Sequence, residues 1–182
     1  MRMLKKEVST NRTLSVAILS TLIMVLYAQF ILGHFSNCFS IDEEANSLGL
    51  SFGYSTAEVY AFFDVRTEGQ LLCYTNFLRV WDSIFPLLYT TMYLCWTIYL
   101  FKRWLFLSII PVMHMITDWL ENYYEISMVN EYLRVGEISD QLVSTSSIIT
   151  MTKWGLSVLT YTILVSGIIY KLKLYITTPK PH

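Results

Sequence analysis

The segment "FLRVWDSIFPLLYTTMYLCWTIYLFKRW" (residues 77–104) combines a long apolar run with a regular row of polar and aromatic side chains. Its apolar part, residues 80–101, has the length of about 20 residues that a helix needs to cross a bilayer. Intervals of four, three, four and three residues separate the members of the row, which are Asp82, Pro86, Tyr89, Tyr93 and Trp96. This spacing puts all five on one face of a helix, so a carboxylate heads an aromatic stripe.

Three further apolar runs cover residues 13–33, 104–123 and 148–170. Together with residues 80–101 they predict an all-α polytopic membrane protein, in which residues 1–182 form a single four-transmembrane-helix bundle. The first and last runs have almost no charge, whereas a soluble bundle would need polar outer faces. The first run is longer than a typical signal-peptide core and no Ala-x-Ala pattern follows it, so we expect a retained helix.

The basic residues are distributed unevenly between the predicted loops. Nine of the 13 lie at the termini or between helices two and three: Arg2, Lys5, Lys6, Arg12, Lys102, Arg103, Lys171, Lys173 and Lys180. The positive-inside rule then places both termini in the cytoplasm, of a bacterial inner membrane or a eukaryotic endomembrane. Loops 34–79 and 124–147 would lie on the outer side, and neither has the basic cluster that nucleic acid binding requires.

The first outer loop contains two capping boxes. Ser55 with Glu58 predicts a short amphipathic helix over residues 56–65, lying on the membrane surface or on the bundle. Thr67 with Gln70 would start helix two well before the bilayer.

Three further features concern the cysteines, the second outer loop and the C-terminal tail. Cys38 and Cys73 both lie in the first outer loop, where a disulfide and two free thiols are equally compatible with the sequence. The second outer loop, residues 124–147, is polar with a break expected at Gly136. Residues 176–182 are predicted to be a frayed tail.

Polar stripes also run along helices three and four. Their members are Pro111, His114, Asp118, Glu121 and Glu125 on helix three, and Ser146, Thr150, Lys153, Ser157 and Thr160 on helix four. An ionisable side chain in lipid costs about 2.5–3.5 kcal/mol, so these stripes should face one another. From a rise of about 1.5 Å per residue, the carboxylates and the lysine gather in the outer part of the membrane.

The sequence therefore predicts a polar intramembrane pocket near the outer leaflet. The predicted ligand-binding residues are Asp82, Tyr89, Tyr93, Trp96, His114, Asp118, Glu121, Asn122 and Lys153. If the pocket is catalytic, proton transfer is the expected chemistry, with Asp82, Asp118, Glu121 and His114 as candidates. No metal-ligand spacing, phosphate loop or Gly-x-Ser-x-Gly motif is present, so no metal or cofactor is expected.

The layout resembles the EXPERA family, which includes sterol isomerases of the emopamil-binding-protein type. The local likeness lies in "WDSIFPLLY" of helix two and "PVMHM" of helix three. The resemblance implies a four-helix membrane protein with a bilayer-accessible pocket lined by acidic and aromatic residues. The chain departs from the family at helix one, where Gln29 and His34 stand in place of an acidic residue, and at Lys153. The motifs "FGYS", "DSIFPLLY", "DWLEN" and "TKW" are similar to those of uncharacterised four-helix membrane proteins.

Three functions compete at this point. The first is binding of a lipid or other lipophilic molecule, with or without proton-transfer chemistry. The second is an accessory or structural subunit with no catalytic activity, in which Lys153 pairs with Asp118 or Glu121 only to fix helix packing and the aromatics form a core. Membrane lipids are the expected surroundings, and a homo-oligomer or a membrane-protein partner stays open. The third is a small proton-coupled transport component.

Overall fold

The computed structural model describes residues 2–41, 47–102 and 104–177, with side chains from residue 12 onward. Within these ranges the chain is helical and forms no β-strand. The α-helices are α1 (Arg2–Leu26), α2 (Gly33–Ser36), α3 (Thr56–Asp64), α4 (Glu68–Phe77), α5 (Ser83–Leu100), α6 (Ile109–Val135) and α7 (Asp140–Thr177). π-Helical turns at Tyr27–Leu32 and Leu78–Asp82 join α1 to α2 and α4 to α5, and 3₁₀ turns cover Leu48–Leu50 and Leu105–Ser108.

The long helices pack in chain order. The α1 helix lies along α5, α5 along α6, and α6 along α7, while α7 also touches α5. Among the described residues, the α1 and α7 helices do not form a comparable interface with each other, and the gap between them, which residues of both helices line, is called the cleft. Three of the described helical runs are long and apolar enough to cross a membrane: Arg12–Ser36, Glu68–Leu100 and Asp140–Thr177. The α6 helix, which contains residues 109–123 of the predicted third span, is not among them, and the first residues of that span, 104–108, precede α6 and include a 3₁₀ turn.

Both capping boxes are present. The Ser55 side chain accepts a hydrogen bond from the backbone of Glu58 and starts α3, which ends at Asp64, one residue before the predicted end. Thr67 pairs in the same way with Gln70. Helix two therefore begins at Glu68, well before residues 80–101, the apolar run from which it was predicted.

The prediction of a loop over residues 124–147 is wrong. The α6 helix continues to Val135, and α7 begins at Asp140. Only the short connection between them is irregular, and Gly136 ends α6 with a φ of 75°, a left-handed conformation that glycine adopts without strain. The prediction failed because the last turns of α6 are polar. Polarity alone does not distinguish a helix that extends beyond a bilayer from a loop. The predicted tail is helical to Thr177, and residues 178–182 lie outside the described ranges.

The end of the molecule where α2 meets α4 has its own apolar core. Val59 and Phe63 of α3 are fully buried there against Phe39, Tyr74 and Val129. The Cys38–Cys73 disulfide, which the sequence left open, joins the end of the first helical run to α4 with a Cα–Cα distance of 6.2 Å. The first outer loop is thereby held onto the helices.

The outward faces of α1 and α7 are apolar and exposed. Exposed fractions of about half or more are found at Leu19 (57%), Leu22 (54%), Val158 (62%), Val165 (53%) and Ile169 (60%). So many exposed apolar side chains on two helices are unusual for a protein surrounded by water. It is the expected exterior of a helix in lipid.

Candidate functional site

A cavity of about 370 Å³ lies among the helices beneath the first outer loop. The predicted ligand-binding residues that line it are Asp82, Tyr89, Tyr93, His114, Asp118, Glu121, Asn122 and Lys153. The three polar stripes thus meet at one place, contributed by the π turn and α5, by α6 and by α7. Whether they bind a ligand stays a prediction.

Lys153 is the electrostatic centre of the cavity. Its ammonium is bonded to the Glu121 carboxylate, donates to the carbonyl oxygen of Gly49 at 2.9 Å, and lies 3.7 Å from Asp118 Oδ1. Exposed fractions of these side chains are 12% for Lys153, 10% for Asp118 and 2% for Glu121. The ammonium therefore balances one carboxylate directly and a second at longer range, in surroundings largely shielded from solvent.

Gly49 is part of this arrangement, because its backbone lies against the Glu121 carboxylate. A Cβ atom at position 49 would stand 2.8 Å from Glu121 Oε2 and 3.2 Å from Glu125 Oε1. No side chain fits there without moving the carboxylate. The contact of this glycine with Lys153 depends on a fold that brings the loop over α7, so no local pattern in the sequence predicts it.

Asp82 reaches the cavity through a local change of helical geometry. It closes the π turn, and Pro86 lies four residues further on, where it has no N–H to donate to the Asp82 carbonyl. Across the π turn, the side chain of Ser83 donates to the Leu78 carbonyl at 2.7 Å. Asn122 Nδ2 donates to Asp82 Oδ2 at 2.8 Å and so fixes the carboxylate against α6. π-Helical turns of this type are frequent at functional sites.

Tyr89 and Tyr93 form an aromatic wall of the cavity, which contacts His114 and Asp118. The Tyr89 hydroxyl donates to Asp118 Oδ2 at 3.0 Å, and the Tyr89 ring stacks on His114 with 4.6 Å between ring centres. His114 is 6% exposed, and its Nδ1 has no hydrogen-bond partner within the described part of the chain. A buried ring nitrogen without a partner at a cavity wall is available to a ligand.

Trp96 is the exception among the predicted site residues, since it is not part of the cavity lining. Its indole Nε1 donates to Thr21 Oγ1 of α1 at 2.9 Å, so it serves the contact between α1 and α5. The spacing correctly predicted that these residues lie along a helix. Which of them reach the cavity depends on the π turn and on the position of α1, and the spacing does not contain that information.

Two parts of the lining have no counterpart in the predicted site. The first is the α1 side, where Met24, Leu32 and Gly33 face the cavity from across the cleft. The second is the turn containing Ser47 and Leu50. Apolar residues on an apolar helix carry no signal in the sequence, so only the packing could reveal that helix one forms a wall.

A second buried acidic group adjoins the cavity. Glu125, in the helix-three stripe but outside the predicted site, is fully buried and accepts a hydrogen bond from the Tyr74 hydroxyl. That hydroxyl lies 3.0 Å from Ser47 Oγ and accepts from the backbone N–H of Leu48 at 3.3 Å. Glu125 Oε1 and Glu121 Oε1 have no hydrogen-bond partner among the described residues. The carboxylates therefore have unused acceptor capacity.

Two groups near the start of α3 show how their surroundings set their protonation. Burial raises the pKa of the Tyr54 hydroxyl above its usual value, so this phenol stays neutral at 2.6 Å from Ser146 Oγ. Hydrogen bonds from the backbone and the hydroxyl of Ser55 lower the pKa of the exposed Glu58 carboxyl. Glu58 is therefore ionised at neutral pH.

Comparison of the chain with protein-family models, with curated proteins and with solved structures finds no match.

Proposed function

We propose that this chain is an integral membrane protein whose cavity binds the polar group of a lipid or another lipophilic molecule. The observation that carries the proposal is the composition of the cavity, in which Lys153 and several carboxylates lie beside the aromatic wall of Tyr89 and Tyr93. Small-molecule sites typically have such linings, mainly apolar with a few convergent polar groups.

A membrane location is supported by the three long apolar runs and by the exposed apolar faces of α1 and α7. In this arrangement the two faces meet lipid, and α6 turns Ile116 and Leu120 outward while its acidic stripe is buried. We take α6 as the fourth spanning helix, because its buried acidic residues have their partners inside the molecule and not in lipid.

The cleft between α1 and α7 supports a lateral entrance. Met24 and Leu32 line the cavity from the α1 side, and Trp154 and Tyr161 line it from the α7 side. Because these two helices are not packed closely together, a hydrocarbon chain could pass between them while the polar group reaches Lys153. A ligand of this shape would not have to leave the bilayer to bind.

The charges of the site favour a ligand that donates hydrogen bonds. Asp82 and Asp118 supply acceptors, Glu121 is matched by Lys153, and His114 adds a ring nitrogen. Carboxylates outnumber ammonium groups here, so a hydroxyl or amine on the ligand would gain more than an anionic group. The same groups are suited to proton transfer, the chemistry expected if the site is catalytic.

The charges and the disulfide support an orientation for the protein in the membrane. Disulfides persist in oxidising compartments, so the Cys38–Cys73 end belongs on the outer side, with both termini in the cytoplasm. Lys171, whose ammonium donates to the Tyr99 carbonyl at 3.0 Å, would then lie near the inner surface. With the protein expressed in bacteria, an impermeant thiol reagent applied to intact cells should modify a cysteine introduced at residue 60 and leave one at the C-terminus untouched. The reverse labelling pattern would refute this orientation.

Ligand binding can be tested by filling the cavity. The protein would be purified in mild detergent, and co-purifying lipophilic molecules would be identified by mass spectrometry. Ser157→Trp points into the cavity, whereas Val158→Trp, one residue further along α7, changes the outward face. We expect a molecule that is enriched with the wild type and Val158→Trp and lost from Ser157→Trp.

A second matched pair on the opposite wall guards against misfolding of one variant. Met24 lines the cavity and Val25 is 44% exposed, so Met24→Trp should release the same molecule and Val25→Trp should retain it. If folded cavity variants retain as much ligand as their outward-facing controls, the cavity is not the binding site.

A further inference from the structure

Glu125 stands out among the buried acidic residues because it has no cation of its own. Its side chain is fully buried, and its hydrogen-bond donor is the neutral Tyr74 hydroxyl. Lys153, the ammonium nearest to the acidic stripe, is already engaged by Glu121, Asp118 and the Gly49 carbonyl.

The neighbouring carboxylate makes an ionised Glu125 more costly. Glu121 Oε2 and Glu125 Oε1 both lie within 3.2 Å of the point where a Gly49 Cβ atom would stand, so the two groups share one confined space. Two carboxylates at such a short distance, removed from water, repel each other strongly when both are ionised, so one of them tends to keep its proton. The ammonium favours ionisation of Glu121, which leaves Glu125 as the member that keeps a proton.

The other titratable groups around Glu125 do not supply a counter-charge. Tyr74 from α4 and Tyr54 from the turn before α3 are phenols, and Asp82 of the π turn is a further carboxyl group. Lys153 on α7 is a cation that acts on Glu125, and it binds Glu121. Arg66, which follows α3, acts on Tyr74, and its guanidinium is bonded to the carbonyl oxygens of Phe39 and Phe62.

We propose that Glu125 is a proton-binding site, carrying its proton at neutral pH in a closed compartment formed with Tyr74, Gly49 and Glu121. The unpartnered Oε1 of Glu125, next to Glu121, is the atom available to hold that proton. The Tyr74 hydroxyl connects the compartment to Ser47, which also lines the cavity. A supply of protons to cavity chemistry from this site rests on the proposed function, but protonation of Glu125 does not.

Infrared spectroscopy of the purified protein at neutral pH provides a direct test. A protonated carboxyl group absorbs at a C=O stretch distinct from that of a carboxylate. We expect the wild type to show a carboxylic-acid component that is absent from Glu125→Gln and retained by Glu58→Gln, the control at an exposed, ionised carboxylate. A spectrum of Glu125→Gln that retains the whole acid band would overturn the assignment.

Stability against pH gives a second readout. A group protonated when folded and ionised when unfolded makes folding take up a proton, so stability falls as pH rises through the neutral range. Glu125→Gln mimics the neutral acid and should reduce this slope without lowering the thermal midpoint at neutral pH. A steeper slope, or a lower midpoint with an unchanged slope, would mean that Glu125 is ionised.

A variant at Tyr74 keeps the proposal testable if Glu125→Gln does not fold. Tyr74→Phe removes the hydroxyl that donates to Glu125 and leaves the buried ring in place. The acid C=O stretch should move to higher frequency, because its hydrogen bond is lost. An unshifted acid band would show that the band does not come from Glu125, and the assignment would fail.

Discussion

Removal of the Lys153 ammonium tests the central contact of the cavity. Lys153→Met keeps much of the aliphatic stem but leaves the Glu121 carboxylate, 2% exposed, without its counter-charge. Breaking a buried ion pair from one side costs about 3–5 kcal/mol, because the remaining charge is neither solvated nor paired. We expect a loss of this size in the free energy of unfolding.

Rescue identifies the partner. Adding Glu121→Gln removes the uncompensated charge and should recover most of the lost stability, since replacing both partners of a buried pair is often nearly neutral. Adding Asp118→Asn should recover less, because Asp118 lies 3.7 Å from the ammonium and keeps the hydrogen bond from Tyr89.

Unfolding in mixed micelles with rising SDS, followed by tryptophan fluorescence, would measure these differences. Lys171→Met is a matched control at the other end of α7, where the ammonium lies 3.1 Å from the Tyr99 ring centre. That contact is worth about 0.5–1 kcal/mol. If Lys153→Met costs no more than Lys171→Met, or if Glu121→Gln deepens the loss, the reasoning about a buried pair is wrong.

The double variant also separates packing from function. If the pair only fixes the helices, Lys153→Met with Glu121→Gln restores both stability and ligand retention. If the pair belongs to a binding site, stability returns and the co-purifying molecule stays absent. We expect the second result, because one ammonium is shared between two carboxylates and a backbone carbonyl.

Three further predictions concern other parts of the fold. Replacing Cys38 and Cys73 by serine opens a loop with a sequence separation of 35 and should cost about 2–4 kcal/mol in the same unfolding assay, with no loss contradicting a structural disulfide. Gly49→Ala puts a methyl group 2.8 Å from Glu121 Oε2 and should cost about 1–3 kcal/mol, so a thermal midpoint equal to the wild type would show that the turn can move away. Glu58→Gln should be less stable than the wild type at neutral pH, because the lowered pKa of Glu58 means that its carboxylate stabilises the fold, fully so above the ordinary pKa of a glutamate. The difference should disappear as the pH falls through the lowered pKa, and thermal unfolding at several pH values would show a constant difference if the carboxylate were unimportant.

Polar residues on apolar helices were the part of the structure most readable from the sequence. Asp82, Asp118, Glu121 and Lys153 occur at helical spacing in surroundings where charge is costly, and that cost leaves few places for them. The capping boxes at Ser55 and Thr67 gave helix starts because they depend on residues within one turn. Both kinds of signal are local.

Features set by packing were beyond the sequence. Nothing marks Met24 as a wall of the cavity, since every apolar residue of α1 fits lipid and protein equally well. Trp96 shares its stripe with Tyr89 and Tyr93 but turns to Thr21, which depends on how α1 crosses α5. Polar turns at residues 124–135 are indistinguishable from a loop until α7 packs along them.

The π turn at Leu78–Asp82 has a consequence for how sequence length relates to this site. Each residue of a helix turns the chain by about 100°, so removing one residue from this segment would rotate α4 against α5 by that amount. Tyr74 could then no longer face Glu125 while Asp82 faces the cavity. Single insertions or deletions between Tyr74 and Pro86 should therefore be far less tolerated than apolar substitutions there. In an alignment of relatives, a one-residue gap in this stretch would separate chains that keep the closed compartment around Glu125 from chains that have lost it.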